Sequence, residues 1–520
     1  MALIDLLNES PAPAPASPVN GQPLPAVGRN VTLTQVKGYL AQKGISPEVT
    51  KEVADLINSK FPEPLPAGEV ARITDFEPEQ EKAKGVKIDQ DTISQAVLKS
   101  IGENNLVSCD SGLHLYNPKK GVWELITITE YQCRIQKALK KIVPPEMFTN
   151  TLVRNQSDIT RREVERGRFR FDNCQDDSVA VLNGVLRFDK GFWSLTPHDR
   201  EEYRTISVPI KYDPNARAEK FLNFLDQVFQ NDPDKQEKAA CILEMIGYSM
   251  MQHAGQYERF IILIGSGSNG KSILFNIIKW LLGNENCAAV QPSLFGNQFN
   301  RAFLYRKLVN IVSELQAGAV IEDASLKAIV SGESMNVSKK HEAPFDMEPF
   351  CTCWFGTNHM PHTRDFTSAM FRRATILKFN RQFTAGIDAD PKLKTFKYWE
   401  DQLPGILNHA LQAYGDAIER GHITDPQSSI EAKHEWYLEA DQAAGFIQEK
   451  TERLAGISIQ SSLLYSAFRD WASEQGISQI IKQKSFSNRL ELMGIKSRRT
   501  KSHMVFDGIA LKSEYECKTF

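Results

Sequence analysis

The chain has 520 residues, 41% hydrophobic and 24% charged, with a formal net charge of −2. That is the composition of an ordinary folded protein of three or four domains. No run approaches the ~20 apolar residues of a membrane span, and the Met-Ala-Leu-Ile-Asp start lacks the basic region and apolar core of a secretory signal.

Residues 1–88 are expected to be flexible, with one small helical segment. Residues 9–28 are rich in Pro and Ala and cannot bury enough surface to fold, so they are expected to be a tether. Before them, residues 2–7 are a frayed end or a short docking peptide. Apolar residues at Val36, Leu40, Val49, Val53 and Leu56, interrupted by Gly44 and Pro47, predict a helical hairpin over 31–61. Residues 62–87, rich in Pro, Glu and Lys, read as a second linker.

A mixed α/β domain is expected over 89–250. It holds a helix at 93–101, a β-hairpin of 113–116 with 121–124, a strand pair of 179–186 with 192–195, and helices at 221–229 and 238–251.

From Arg259 the pattern becomes strand, glycine loop, helix, and a nucleotide-binding core is expected over 251–400. Phe260 to Ile264 is an apolar strand. It runs into Gly265, Ser266, Gly267, Ser268, Asn269, Gly270, Lys271 and Ser272, and a helix follows over 273–282. This is G-x-x-x-x-G-K-S in the strand-to-helix context that gives it meaning. Glycines let backbone amides curl round phosphates, and the helix N-terminus adds positive charge. Lys271 is expected to neutralise the β- and γ-phosphates of ATP, and Ser272 to ligate Mg²⁺. A second apolar strand, 308–312, ends at Ser313-Glu314. Glu314 is the candidate for polarising the attacking water and for a share in the metal. A third strand, 350–355, leads to Asn358, whose amide can reach that water or the γ-phosphate. Cys351 and Cys353 alternate on this stretch and read as core residues, not as metal ligands. Arg372 and Arg373 precede a further strand, and either can reach a neighbouring subunit's γ-phosphate, with Arg373 slightly favoured.

A helical connector is expected over 401–446 and a final module over 447–520, with helices at 461–475 and 483–493 and strands near 496–499 and 503–506. Between Lys482 and His503 stand seven basic residues (Lys482, Lys484, Arg489, Lys496, Arg498, Arg499, Lys501) against one acid, Glu491. Such clustering is the footprint of a nucleic-acid surface.

Lys271 lies 43 residues before Glu314, and Glu314 lies 44 before Asn358. This compact series resembles the superfamily 3 helicases, the AAA+-like hexameric motors of small DNA viruses, satellite phages and plasmids. Between the acid and sensor strands, Lys339, Lys340 and His341 match the place where papillomavirus and polyomavirus relatives carry a DNA-gripping Lys-His pair on a pore hairpin. Upstream, Asn183-Gly184-Val185-Leu186, Thr196-Pro197-His198-Asp199, Tyr212-Asp213-Pro214-Asn215-Ala216 and Gly247-Tyr248 resemble the domain before the motor in phage and poxvirus primase-helicases. Leu464-Tyr465 and Phe468-Arg469-Asp470-Trp471 are similar to their winged-helix cap. The resemblance covers about 113–511.

The fold it implies is α/β: a P-loop AAA+-like core, a preceding α/β domain and a C-terminal winged helix. It implies an ATP- and Mg²⁺-dependent helicase unwinding DNA 3′ to 5′ during replication. The expected partners are single- and double-stranded DNA, further copies of itself in a hexamer, and a separate primase or replication protein. The expected place is the cytoplasm of a bacterial or virus-infected cell, with no membrane association. Ser313 stands where many relatives have a second acid, which leaves the metal's second ligand open. Residues 1–88 are too short and linker-rich for the primase of longer relatives, so none is expected there. The alternative function is an origin-binding initiator or regulator that melts DNA without processive movement. A metabolic kinase accounts for neither Lys340-His341 nor the basic C-terminal module.

Overall fold

The computed structural model describes residues 26–512 apart from 43–44, 76–88, 103, 173–175, 254–255, 317, 319, 364, 366–367 and 478–479. The expected docking peptide and residues 9–25 of the expected tether lie outside the described residues. The chain divides into two compact units, 1–93 and 94–520.

Within the first unit, the expected hairpin is present as Ala26–Gln42 and Pro47–Asn58. Ser46 caps the second helix, accepting from Val49 N at 3.4 Å, and Pro47 fits the first turn, where its missing N–H costs nothing. The expected linker at 62–87 is overturned in part, because Ala67–Asp75 is a third helix. Its Val70 is buried with Leu33, Ala54 and Leu65, and Ile73 packs against them. Asn58 locks the reversal by donating to Leu65 O and accepting from Leu65 N, both at 2.9 Å. Composition marked the segment as linker, but one apolar stripe is enough to dock a short helix. Residues 26–75 are therefore a small helical bundle, not a largely flexible region.

In the second unit, two three-stranded antiparallel sheets precede the central one: Leu106–Cys109, Gly112–Asn117 and Val122–Ile126, then Ser178–Val181, Gly184–Asp189 and Phe192–Thr196. The stretch read as one strand over 179–186 is thus two, turning at Leu182-Asn183. Asn183 stabilises that turn through Tyr212, its side chain accepting from Tyr212 N at 2.8 Å and donating to Tyr212 O at 3.0 Å. Helices Glu219–Val228 and Lys235–Tyr248 lead to the central sheet.

That sheet has five parallel strands, in the order Ala374–Lys378, Phe260–Ile264, Thr352–Thr357, Val309–Val312, Cys287–Ala288. Its strands are apolar on both faces because both are covered. Ile261 and Leu263 join a core with Leu274 and Ile278 of helix Lys271–Leu282, whereas Phe260 and Ile262 face Leu326 and Ile329 of helix Asp323–Ser331. Cys351 and Cys353 are buried in the second of these cores.

The segment expected to be a connector is part of the core. Helix Leu403–Arg420 buries Ile406, Leu411 and Tyr414. It crosses Lys235–Tyr248 so closely that a Cβ on Gly247 would lie 2.4 Å from Ala410 O. Helix Gln427–Ala440 packs on the edge strand, where Ser429 Oγ accepts from Ile376 N at 3.0 Å.

The last module begins earlier than residue 447, since Ala443 and Phe446 of helix Gln442–Lys450 belong to its core with Phe468, Phe486 and Ile509. Helices Ser461–Glu474 and Gln483–Leu492 match expectation. The sheet has three strands, in the order Thr451–Gln460, Met504–Leu511, Ser497–Arg499.

Candidate functional site

At the C-terminal end of strand Phe260–Ile264 the backbone turns through three positive-φ residues: Gly267 (106°), Ser268 (49°) and Gly270 (93°). Helix Lys271–Leu282 starts directly on Gly270 with no side-chain cap, so its first amides face the loop. Gly265 admits no side chain, because a Cβ there would lie 2.1 Å from Asn269 Nδ2 and 2.7 Å from Phe379 O. Gly265 N itself donates to Thr357 O at 3.1 Å, which ties the start of the loop to the neighbouring strand. Lys271 is buried beside the loop, its Nζ donating to Gly265 O at 2.6 Å and Asn269 Oδ1 at 3.2 Å. Burial pulls the Lys271 ammonium below the ordinary lysine value, and the Glu314 carboxylate acts in the opposite direction. An ammonium held in that state gains most from a bound anion.

Strand order brings the remaining candidates together. Thr352–Thr357 lies between the glycine-loop strand and Val309–Val312, so the tips of all three open on one cleft. Asn358 Nδ2 donates to Glu314 Oε1 at 3.4 Å. The two strands touch at Gly356, whose carbonyl accepts from Leu315 N at 2.8 Å. The cleft has a volume of about 570 Å³ and is bordered by residues 267–273, Ser313, Glu314, Thr357 and Asn358. Ser272 and Glu314, the two candidate metal ligands, both border it, as do all the glycine-loop candidates except Gly265 and Ser266. Those two form the start of the turn, and Ser266 Oγ accepts from Gln382 Nε2 at 2.6 Å.

Two walls of the cleft escaped the sequence reading. One is Phe224 and Gln227 of helix Glu219–Val228; the other is the segment after the last strand, including Phe383, Asp388, Leu393 and Lys394. Phe383 N donates to Ser268 O at 2.7 Å, and Asn269 Nδ2 to Phe379 O at 3.4 Å. Arg381 ties the two walls: its Nη1 donates to Gln227 O at 2.9 Å, its Nη2 to Asp388 Oδ2 at 3.2 Å, and its guanidinium covers the Phe383 ring at 4.6 Å. No short motif marks these residues, because they meet only through the fold.

Arg372 and Arg373 lie outside this cleft and differ from each other. The Arg373 side chain is 10% exposed and anchored by Glu258 (2.8 Å), Ser331 Oγ (3.0 Å) and Ala369 O (3.0 Å). The Arg372 side chain is 65% exposed, with Glu258 3.6 Å away.

Strands Met335–Val337 and Phe345–Met347 form an antiparallel hairpin, and Lys339, Lys340 and His341 lie in its turn. Lys340 and His341 are exposed, and His341 has a φ of 67°. Lys339 is partly covered, with Nζ 5.7 Å above the Tyr305 ring and 5.8 Å above Phe345.

In the last module, Lys484, Lys496, Arg499 and Lys501 are exposed. Arg498 is bound to Asp507 at 2.8 Å, and Arg489 to the buried Asp441 at 3.1 Å. Arg489 thus holds the module together instead of standing on its basic surface.

Comparison with known proteins agrees with this anatomy. Residues 95–230 match the family described as D5 N terminal like, 263–373 a family of unknown function (DUF5906), and 19–75 the Primase C terminal 1 family. The last match covers the helical bundle in the segment read as holding no primase domain. A helicase-named protein of Invertebrate iridescent virus 6 is 23% identical over 233 residues, 40% of this chain and 23% of that protein. Another, of Acanthamoeba polyphaga mimivirus, is 22% identical over 326 residues, 56% of this chain and 32% of that protein. The chain thus spans about a quarter to a third of these relatives. Two apo structures of the NrS-1 C-terminal region align with TM-scores of 0.44 and 0.46 at 12% and 13% identity, over 79% and 80% of this chain and 97% and 100% of theirs. No helix among the described residues is long and apolar enough to cross a membrane. The chain thus carries a D5-like segment and a primase C-terminal segment and is similar, at 22–23% identity, to viral proteins named helicases, which supports a kinship with phage and viral primase-helicases.

Proposed function

We propose that the chain hydrolyses ATP in the cleft and uses the energy to unwind duplex DNA as a hexameric ring. The observation that carries this reading is the convergence of the glycine loop with Lys271, Glu314 and Asn358 at the tips of three adjacent parallel strands. A bare anion site needs the loop; it does not need an acid and an amide held together across it.

In this reading the loop amides and Lys271 hold the β- and γ-phosphates, while Phe224, Gln227 and Leu393 border the remainder of the nucleotide. Ser272 and Glu314 would hold Mg²⁺, which supplies charge neutralisation on the phosphates. The donor set fits a hard cation, because both are oxygen ligands facing one open cleft. Glu314 accepts the proton of the attacking water, and Asn358 fixes the carboxylate by donating to it. Arg372 is placed to serve a neighbouring subunit, since it is exposed and away from its own cleft, whereas Arg373 is occupied within its own subunit. Such a charge, delivered in trans, is worth about 10³–10⁵ in rate. Lys340 and His341 on the hairpin turn grip single-stranded DNA in the pore. The C-terminal module is read as a winged helix, with Gln483–Leu492 on duplex DNA and the 497–511 hairpin as its wing.

Hydrolysis and strand displacement measured together test the proposal. Lys271→Ala should abolish both, and Glu314→Gln should bind ATP but stall. Wild-type hydrolysis by Glu314→Gln would remove Glu314 from the chemistry.

A further inference from the structure

Residues 161–171 read Arg-Arg-Glu-Val-Glu-Arg-Gly-Arg-Phe-Arg-Phe. Helix Asn150–Glu163 ends within this run, and the chain beyond it is irregular. From Arg168 on, the side chains alternate as in an extended segment. Phe169 and Phe171 join a ring cluster, with Phe171 4.1 Å from His114 and Phe169 4.6 Å from Tyr203. Arg168 and Arg170 are exposed on the opposite side. Arg166 braces the strip: its guanidinium lies 5.4 Å over both the Phe169 and Tyr203 rings, and its Nη1 donates to Tyr203 Oη at 2.7 Å. The two acids of the run are tied back, Glu163 accepting from Ser94 Oγ at 2.5 Å and Glu165 from Ser108 Oγ at 2.5 Å and Gly167 N at 3.1 Å.

This strip adjoins the base of the Lys340-His341 hairpin. Arg170 Nη1 is 4.0 Å from Glu348 Oε1, one residue past the hairpin's second strand, and the two side chains are 84% and 71% exposed. Arg306 spans the same junction, its guanidinium 5.4 Å over Phe171 and 5.1 Å over Tyr305, and the Tyr305 ring meets Phe345 of the hairpin at 5.0 Å. Arg168 and Arg170 thus form an exposed basic pair on the D5-like domain beside the hairpin base, where the exposed acids Asp346 and Glu348 also stand, while Arg306 is held by Asp172 at 3.5 Å.

We infer that Arg168 and Arg170 bind successive phosphates of the DNA single strand as it passes between the hairpin and the D5-like domain. Two residues of extended chain rise ~6.6 Å, a step similar to that between neighbouring phosphates of an extended single strand. The exposed pair of Arg170 with Glu348 is weak and yields to a phosphate. Aromatic anchoring below the strip keeps the guanidinium groups presented on a fixed surface. The inference rests on the DNA-motor reading, and it extends the DNA contacts beyond the hairpin.

The test is the salt dependence of binding of a labelled oligothymidylate to the full chain, wild type against Arg168→Ala with Arg170→Ala. Losing two phosphate contacts should lower the magnitude of the log–log slope by about 1.4 for each protomer engaged, a loss of roughly 25-fold in affinity at 0.1 M salt. ATP hydrolysis without DNA should stay at the wild-type level. Arg168→Lys with Arg170→Lys should retain most of the slope, which separates phosphate binding from a structural role. A double alanine variant with unchanged affinity and slope, beside a wild type that binds and unwinds, overturns the inference alone. A wild type that binds no single strand overturns the motor reading with it.

Discussion

Gly356→Ala probes the geometry between catalytic acid and sensor without touching either residue. A Cβ at position 356 would lie 2.3 Å from Ser313 O and 2.8 Å from Phe275 Cε2, whereas ordinary contact begins at 3.4 Å. The backbone of the residue before Glu314 must therefore retreat by about 1 Å, since a carbonyl has no rotamer to yield. That retreat strains the Leu315 N to Gly356 O bond and pulls Glu314 from Asn358, already 3.4 Å apart. A misplacement of about 1 Å in a reacting constellation costs about 10² in rate. Overpacking should cost a further ~1–3 kcal/mol of stability. Steady-state hydrolysis should fall about 100-fold, while equilibrium binding of a fluorescent ATP analogue persists because the loop amides and Lys271 remain. A folded Gly356→Ala protein turning over at the wild-type rate would refute the assignment of Glu314 and Asn358 to one reaction.

Other expectations follow from single side chains. Arg373→Ala should lower the thermal midpoint, because it removes the 2.8 Å partner of Glu258 and the donor to Ser331 Oγ and Ala369 O, whereas Arg372→Ala should keep the midpoint and lose concentration-dependent hydrolysis; the reverse pattern would exchange their roles. The His114 ring is held down to about 4 from 6.5 by burial and by Arg306, whose Nη1 lies 3.1 Å from Nε2 and requires a neutral acceptor. The unfolded chain then takes up the proton first, so the His114 contribution is intact above pH ~6.5 and is lost as pH falls toward 4. The nearby Asp172 carboxyl, pushed up by burial, acts in the opposite sense, so the informative comparison is wild type with His114→Phe. Thermal midpoints should rise less with increasing pH across that window in the variant than in the wild type, and equal signed slopes would contradict the assignment.

The parts of this fold legible in sequence were those written locally. Phe260–Ile264, the glycine loop and the strands before Glu314 and Asn358 announce themselves because apolar runs end at residues with one structural use. The cleft's other walls were not legible, since Phe224 and Leu393 come from segments far apart in the chain and neither type is unusual where it stands. Helix Ala67–Asp75 was hidden by a linker-like composition around a narrow apolar stripe. Strand Thr451–Gln460 was missed because it is mostly exposed and interrupted by a register shift after Arg453, so it shows no clean alternation. Charge counting misjudged Arg489, whose partner Asp441 lies 48 residues away in sequence. The sequence reading also passed over Arg168 and Arg170, which stand in a run of five arginines and two glutamates over 161–171.

The central claim is that hydrolysis in the cleft drives DNA past the hairpin. It is tested most directly by measuring hydrolysis and strand displacement on one preparation of Lys340→Ala with His341→Ala. Both residues are exposed in a turn outside the cleft, so DNA-independent hydrolysis should remain near wild type. DNA stimulation and strand displacement should disappear, and single-strand affinity should weaken. A double variant that displaces strands as well as the wild type would contradict the account.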